Sequence, residues 1–255
     1  MRQRITRPWA GALDWRAFQG FDPLLYRRQG VRGQGVIGAG SRARFRVQEG
    51  HVGLPAFTGL KEFLLREGDW AFGHLSYDLK NEVEGLTSRH PGRMGWPLAH
   101  WFVPRFVVEL GNAEVVLWVH EEDREEGEAW LGRLVGSPSS PGPFSQGEGE
   151  SSPVSAPTLR RSAENDAFTH RTTKAHYLQQ VQRIMGHLQR GDVYEVNYCT
   201  ERTAQLPGWD VYAAFQRMLD GSDAPHASFY CMDGRFALCA SPERFLRFEN
   251  GKVTA

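Results

Sequence analysis

The sequence predicts an α+β fold with mixed, largely antiparallel sheets and helices packed outside them. Two observations indicate this class. In the first half of the chain, β-rich runs flank Gly111-Asn112, a dipeptide typical of tight antiparallel hairpins. In the second half, apolar residues recur at the spacing of an amphipathic helix, at Tyr177, Val181, Ile184 and Leu188. Short strand-like runs follow this helix.

Composition limits the classes of partner. A hydrophobic content of 40% in 255 residues is enough to build a core, and 30 basic against 30 acidic residues give no net charge, so nucleic acid is not an expected partner. The N-terminal segment lacks a long apolar stretch, which predicts a cytoplasmic protein without a membrane partner. Three cysteines without C-x-x-C spacing favour neither a disulfide framework nor a zinc site.

The clearest predicted boundary is a segment rich in glycine, proline and serine. These residues supply 16 of the 23 positions from Gly136 to Thr158, so almost nothing there can be buried. We therefore predict an N-terminal α+β domain over residues 1–135, a linker over 136–160, and the first part of a second domain over 161–255.

Several elements before the linker follow from local patterns. Thr58 to Gly68 predicts a short helix, with Thr58 as the N-cap and Gly68 as its end. WAFGHLSYDL, from Trp70, predicts a buried strand. The runs WFVPRFVVEL and AEVVLWVH predict the strands on either side of the Gly111-Asn112 hairpin.

After the linker, the amphipathic helix is expected to end at Gly191, and VYEVNYCTERTAQL alternates like a strand. Asp210 is a candidate N-cap for a helix that ends at Gly221. ASFYCM, RFALCA and FLRFEN predict short strands. If Asp233-Gly234 forms a two-residue hairpin, Cys231 lies opposite Phe236 and Cys239 points to the other face, so no bridge between these cysteines is expected.

Two familiar catalytic patterns are weak here. Gly38 to Ala43 matches the letters of a dinucleotide fingerprint, but the following ARFRVQEG alternates like a strand, whereas the fingerprint needs a helix. Nucleotide binding is therefore not expected. The nine histidines show no H-E-x-x-H spacing and no G-x-S-x-G elbow is present, so the sequence supports neither a histidine metal site nor nucleophilic hydrolysis.

Two other segments hold the candidate site residues. In GDVYEVNYCTE, strand alternation places Glu195 and Asn197 on one face, where both need hydrogen-bond partners if buried; an edge strand with Glu195 in water is the alternative. In ASPERFL, Pro242 suits a turn, and Ser241 and Glu243 are positioned to satisfy neighbouring backbone amides.

Taken together, the Tyr177 helix, GDVYEVNY and SPERF resemble, in order, the chorismate-using family that contains anthranilate synthase component I and aminodeoxychorismate synthase component I. WAFGHLSYDLKNE, from Trp70 to Glu82, is similar to the N-terminal domain of that family. The resemblance implies the first half of the anthranilate synthase component I fold, with 161–255 as a truncated first part of the chorismate-binding domain. Glu195 stands where the family commonly has glutamine, a variant that favours the aminodeoxychorismate type.

The resemblance also implies the chemistry. Family members bind chorismate with Mg²⁺ and add ammonia, usually supplied by a glutamine amidotransferase partner. Glu195, Asn197, Ser241 and Glu243 match positions that line or brace the inner sheet, so they are expected to support the substrate site. The family's metal ligands and catalytic residues are expected beyond Ala255, so the catalytic residues are unknown, no metal is expected on this chain alone, and the chain alone is expected to be inactive.

Three functions remain open at this point. The first is an N-terminal part of aminodeoxychorismate synthase component I, in the folate (p-aminobenzoate) pathway. The second is anthranilate synthase component I, in the tryptophan pathway, although LLYRRQG lacks the glutamate-serine pattern with which regulated members hold tryptophan. The third is a non-catalytic module that binds a ligand or a partner.

Overall fold

The computed structural model describes residues 1–9, 11, 13–30, 34–51, 53–87, 92–136 and 168–254. Apart from Gly136, the predicted linker over 136–160 lies outside the described residues. The strands, numbered in chain order, are β1 Gln3–Pro8, β2 Leu24–Arg28, β3 Gly35–Ala39, β4 Ala43–Val47, β5 Phe72–Leu75, β6 Ala99–Val103, β7 Phe106–Leu110, β8 Glu114–Val119, β9 Thr169–His170, β10 Arg202–Thr203, β11 His226–Met232, β12 Arg235–Ser241, β13 Arg247–Glu249 and β14 Lys252–Thr254. The helices are α1 Ala56–Glu67, α2 Lys80–Glu84, α3 Arg124–Leu134, α4 Lys174–Arg190 and α5 Val211–Asp220.

The α+β prediction is confirmed, because the two larger sheets are antiparallel throughout. Seven strands form one sheet in the order β1-β8-β7-β3-β2-β11-β12, and three form another in the order β4-β6-β5. One face of the larger sheet packs against α3 and α5 around Trp130 and Phe215. Its other face packs against the smaller sheet, where Phe72 and Phe102 meet Tyr230 and other apolar side chains. The central strands β3 and β7 are thus buried on both faces.

The chain forms two compact units, and their boundaries differ from the predicted domains. One unit holds residues 1–143 together with 210–255, and the other holds 144–209. The predicted division placed the whole of 161–255 in one domain. The difference arises because β11 pairs with β2, in a register that puts Ser228 opposite Arg27, so β11 and β12 join the sheet formed by the N-terminal strands.

The hairpin at Gly111-Asn112 is confirmed. The strands β7 and β8 are antiparallel, with Leu110 opposite Val115, and the Gly111 amide donates to the carbonyl of Glu114 at 2.9 Å. The preceding run WFVPRFVVEL divides at Pro104, since β6 belongs to the smaller sheet and β7 to the larger one. Proline lacks a ladder donor, so it suits a change of sheet.

The helix ends agree with the local predictions at most positions. Gly68 and Gly191 take left-handed conformations, with φ of 58° and 75°, directly after α1 and α4. The Asp210 carboxylate accepts from the amides of Tyr212 and Ala213 and begins α5. The predicted N-cap Thr58 is wrong: α1 begins at Ala56, whose amide donates to the carboxylate of Glu82, a distant partner that the local sequence does not reveal.

The predicted strand through VYEVNYCTERTAQL is wrong except for two residues. The structure forms only β10, Arg202–Thr203, which pairs with β9. Residues 193 to 200 carry no regular structure and are mostly exposed. Alternation becomes a strand only where a neighbouring strand supplies backbone partners.

The hairpin of β11 and β12 has the predicted register. Cys231 lies opposite Phe236, and Asp233 and Gly234 form the turn with φ of 49° and 68°. Cys231 is buried, Cys239 is exposed, and both thiols are free, as expected. The fingerprint at Gly38 to Ala43 is followed by strand β4, so the helix that nucleotide binding requires does not follow it.

Candidate functional site

The four residues predicted to support a substrate site fall in two different compact units. Glu195 and Asn197 are exposed and lie in the irregular segment after α4. Ser241 ends β12 and is partly buried, whereas Glu243 is exposed in the turn that follows. The two pairs therefore lie in separate units, and their shared role in a substrate site stays a prediction.

The SPER corner is closed by a serine hydroxyl, as the sequence indicates. Ser241 Oγ donates to the carbonyl of Glu243 at 2.9 Å and accepts from the amide of the same residue at 3.3 Å. Such a turn reverses the chain directly after a strand. Ser241 has a structural role in this corner, and the Glu243 side chain extends into solvent.

The beginning of GDVYEVNY serves as the C-terminal cap of α4. The backbone amide of Asp192 donates to the carbonyl of His187 at 3.0 Å. The Asp192 carboxylate lies 2.8 Å from His187 Nδ1 and 2.9 Å from Arg190 Nη2. Hydrogen bonds from His187 and then Arg190 hold the pKa of the Asp192 carboxyl below its ordinary value. The first two residues of the motif therefore fix where the chain leaves the helix.

A buried polar cluster joins the two larger sheets, and no sequence pattern indicated it. Tyr230 of β11 places its hydroxyl 2.5 Å from His100 Nδ1 and 3.4 Å from His74 Nδ1. His74 Nε2 lies 3.1 Å from the carbonyl of Pro97. His100 is 1% exposed and Tyr230 is 5% exposed. Both histidines have hydrogen-bond partners inside the fold.

Electrostatics keep this cluster uncharged at neutral pH. Burial is the main reason that the pKa of His100 falls to about 4, and the neighbouring His74 lowers it further. Burial also lowers the pKa of His74 and raises the pKa of Tyr230. A neutral imidazole and a protonated phenol form an ordinary hydrogen bond, so the cluster contributes to cohesion between the sheets.

An open cleft lies beside the segment WAFGHLSYDLKNE. Its volume is about 480 Å³, and Ser76, Glu82, Arg93 and Trp96 are among the residues that line it. None of the four predicted site residues lies in this cleft. Its chemistry is mixed, with carboxylates, a guanidinium and an indole, and it indicates no particular reaction.

The described residues do not fit a metal site. Among them, no three side chains of histidine, cysteine, aspartate or glutamate come together in a way that could hold an ion. The Mg²⁺ that the family resemblance implies therefore has no set of ligands in this part of the chain. No described helix is both long and apolar enough to cross a membrane.

The protein has an α+β fold with antiparallel sheets. The end of α4 and the SPER corner carry motifs of chorismate-using enzymes, in the same order along the chain as in those enzymes. The family model for chorismate binding enzymes matches residues 23–255. This chain belongs to that family.

Individual relatives are distant. The chain is 25% identical over 197 residues to an anthranilate synthase component I-like protein from Synechocystis, covering 74% of this chain and 36% of that protein. It is 26% identical over 188 residues to aminodeoxychorismate synthase component 1 from Klebsiella aerogenes, covering 72% and 36%. The menaquinone-specific isochorismate synthase from Escherichia coli matches with 17% identity and a TM-score of 0.48, covering 96% of this chain and 51% of that one. The chain thus spans little more than a third of the length of the two curated relatives.

Proposed function

We propose that this chain is the N-terminal part of an aminodeoxychorismate synthase component I, which aminates chorismate for p-aminobenzoate and folate synthesis. The observation that supports this most is the family match over residues 23–255, which includes both GDVYEVNY and SPERF. Glu195 favours the aminodeoxychorismate type because the family more commonly has glutamine there. A relative of this chain carries the same name.

The proposal gives Asn197 and Ser241 a supporting role in the substrate site of the whole enzyme. Its acid-base groups and Mg²⁺ ligands are proposed to lie outside the described residues. A Mg²⁺ ion held by those other residues would act as a Lewis acid toward chorismate. A glutamine amidotransferase partner supplies ammonia. The cytoplasm is the proposed compartment, where the free thiols of Cys231 and Cys239 stay reduced.

Product analysis of the full-length gene product tests the proposal. The purified enzyme is incubated with chorismate, magnesium chloride and ammonium, and the products are separated by chromatography. Aminodeoxychorismate, converted to p-aminobenzoate by an added lyase, is the expected product. Anthranilate would instead assign the protein to the tryptophan pathway, which the name of the Synechocystis relative favours. No aminated product, with or without glutamine and the amidotransferase, would support the non-catalytic module.

A substitution tests the role of Asn197 in the same assay. Asn197→Ala is expected to lower kcat/KM roughly tenfold, the usual effect of losing a residue that orients a site. Gln189→Ala is the matched control, since it also removes an exposed amide from the same compact unit. Equal activity of the two variants would remove Asn197 from the substrate site.

A further inference from the structure

A group of cationic and hydroxyl side chains lies at one end of the seven-stranded sheet. The register places Arg27 of β2 opposite Ser228 of β11, and His226 of β11 opposite Ser241 of β12. Paired residues share a face of a sheet, as do residues two apart on one strand. Arg27, His226 and Ser228 therefore project from the same face, and Arg244 follows shortly after the end of β12.

Neither Arg27 nor Arg244 has an acidic partner among the described residues. Within the described part of the chain, no carboxylate lies at ion-pair distance from either guanidinium, whereas the nearby Arg247 pairs with Glu249. Arg244 Nε and His226 Nδ1 are buried and have no hydrogen-bond partner. Buried donors are normally paired in native proteins, so these two atoms indicate that something is missing from this face.

The charges at this face repel one another. Burial, followed by the charges of Arg244 and Arg247, holds the pKa of Arg27 below its ordinary value. Burial, followed by Arg244 and Arg27, lowers the pKa of His226 in the same way. Some other arginines have carboxylate partners, as where Arg42 and Arg105 share the buried carboxylate of Asp123. The face around Arg27 lacks such a carboxylate among the described residues.

We propose that this face binds a doubly charged oxyanion of the phosphate class. Two guanidinium groups supply two positive charges, which one dianion neutralises. Guanidinium forks match the oxygen geometry of phosphate, and the Ser228 hydroxyl and a neutral His226 imidazole add donors. Binding of this oxyanion does not depend on the proposed amination of chorismate.

Thermal unfolding with inorganic phosphate tests this site. Phosphate is expected to raise the Tm of the protein in a saturable manner near neutral pH, and sodium chloride at the same ionic strength is expected not to. Arg27→Gln and Arg244→Gln are each expected to weaken the apparent affinity roughly tenfold or more, since each removes a charge-assisted hydrogen bond. The matched control is Arg66→Gln, which removes one exposed positive charge that is not part of this face. This variant is expected to keep the affinity for phosphate.

Two results would overturn the site: an equal rise in Tm with chloride, or the same phosphate response in Arg244→Gln as in the unaltered protein. Arg27 lies in a central strand, so its replacement could prevent folding. A direct measurement on the unaltered protein and on Arg244→Gln avoids this problem. It records the broadening of the ³¹P resonance of phosphate when the protein is added. No broadening with the unaltered protein contradicts the site. A parallel titration with malonate separates phosphate from dicarboxylates, and binding of malonate alone would overturn the assignment to phosphate.

Discussion

The hydroxyl of Tyr230 lies 2.5 Å from Nδ1 of His100, and this contact joins two sheets through residues 130 positions apart in the chain. Tyr230 belongs to β11 of the seven-stranded sheet and His100 to β6 of the three-stranded one. Both side chains are almost fully buried. The cohesion of the two sheets therefore includes a polar contact as well as apolar packing.

Removing the phenol oxygen should destabilise the fold. Tyr230→Phe leaves the ring in place but takes away the partner of His100 Nδ1, so we expect a loss of about 1–3 kcal/mol in the free energy of unfolding. Urea unfolding measures this loss. Tyr177→Phe, which removes a hydroxyl from a side chain that is 41% exposed, is the control and should change little. Equal stability of the two variants would show that the hydroxyl makes no net contribution.

Protonation of His100 should weaken the protein in mild acid. Its pKa in the folded state is about 4, below the ordinary value of 6.5. Between these values the unfolded chain binds more protons, so stability falls as the pH falls from about 6.5 towards 4, by up to about 3 kcal/mol. The measurement is the free energy of unfolding across this pH range. His100→Gln should flatten the dependence, whereas the exposed His176→Gln should leave its slope unchanged.

Two glycines should respond to alanine in opposite directions. A Cβ added at Gly73 of β5 would lie 2.0 Å from the carbonyl oxygen of His100, so Gly73→Ala should cost about 1–3 kcal/mol through overpacking. A Cβ at Gly132 of α3 meets no atom within 4 Å, and Gly132→Ala should add up to about 1 kcal/mol because alanine favours the helix. Thermal unfolding of both variants checks the pair. A tolerated alanine at position 73 would contradict the close approach of β5 to β6.

The thiols of β11 and β12 should differ in reactivity. Cys231 is 6% exposed, and burial raises the pKa of its thiol to about 12, whereas Cys239 on the opposite face is exposed. The thiolate is the reactive form. Iodoacetamide should therefore modify Cys239 in the folded protein and Cys231 only after unfolding in urea, as read by mass spectrometry of peptides. Modification of both cysteines at one rate in the folded state would mean that the hairpin register differs.

Sequence patterns predicted best where both partners of an interaction are close in the chain. Asp210 caps α5 through amides two and three residues away, and the Asp233-Gly234 turn sets the register of its own hairpin. The start of α1 was missed because its amide partner, Glu82, lies 26 residues away. The alternation from Val193 to Cys199 failed as a strand because alternation specifies faces and does not provide a pairing partner.

The candidate site was predictable to a similar extent. The Ser241 turn is local and was expected, whereas His100 and His74 showed no spacing that connects them with Tyr230. The face proposed to bind phosphate also depends on strands that are distant in sequence, since Arg27 and Ser228 meet only in the folded sheet.

The sequence by itself determined the α+β class, the ends of α4 and α5, the β11 and β12 hairpin and the motifs of the chorismate-binding family. Each of these depends on short-range hydrogen bonds or on residue order along the chain. Only the tertiary structure decided that β11 joins β2 and that Tyr230 meets His100. Such contacts join segments far apart in the chain, and their choice depends on which faces the whole fold buries.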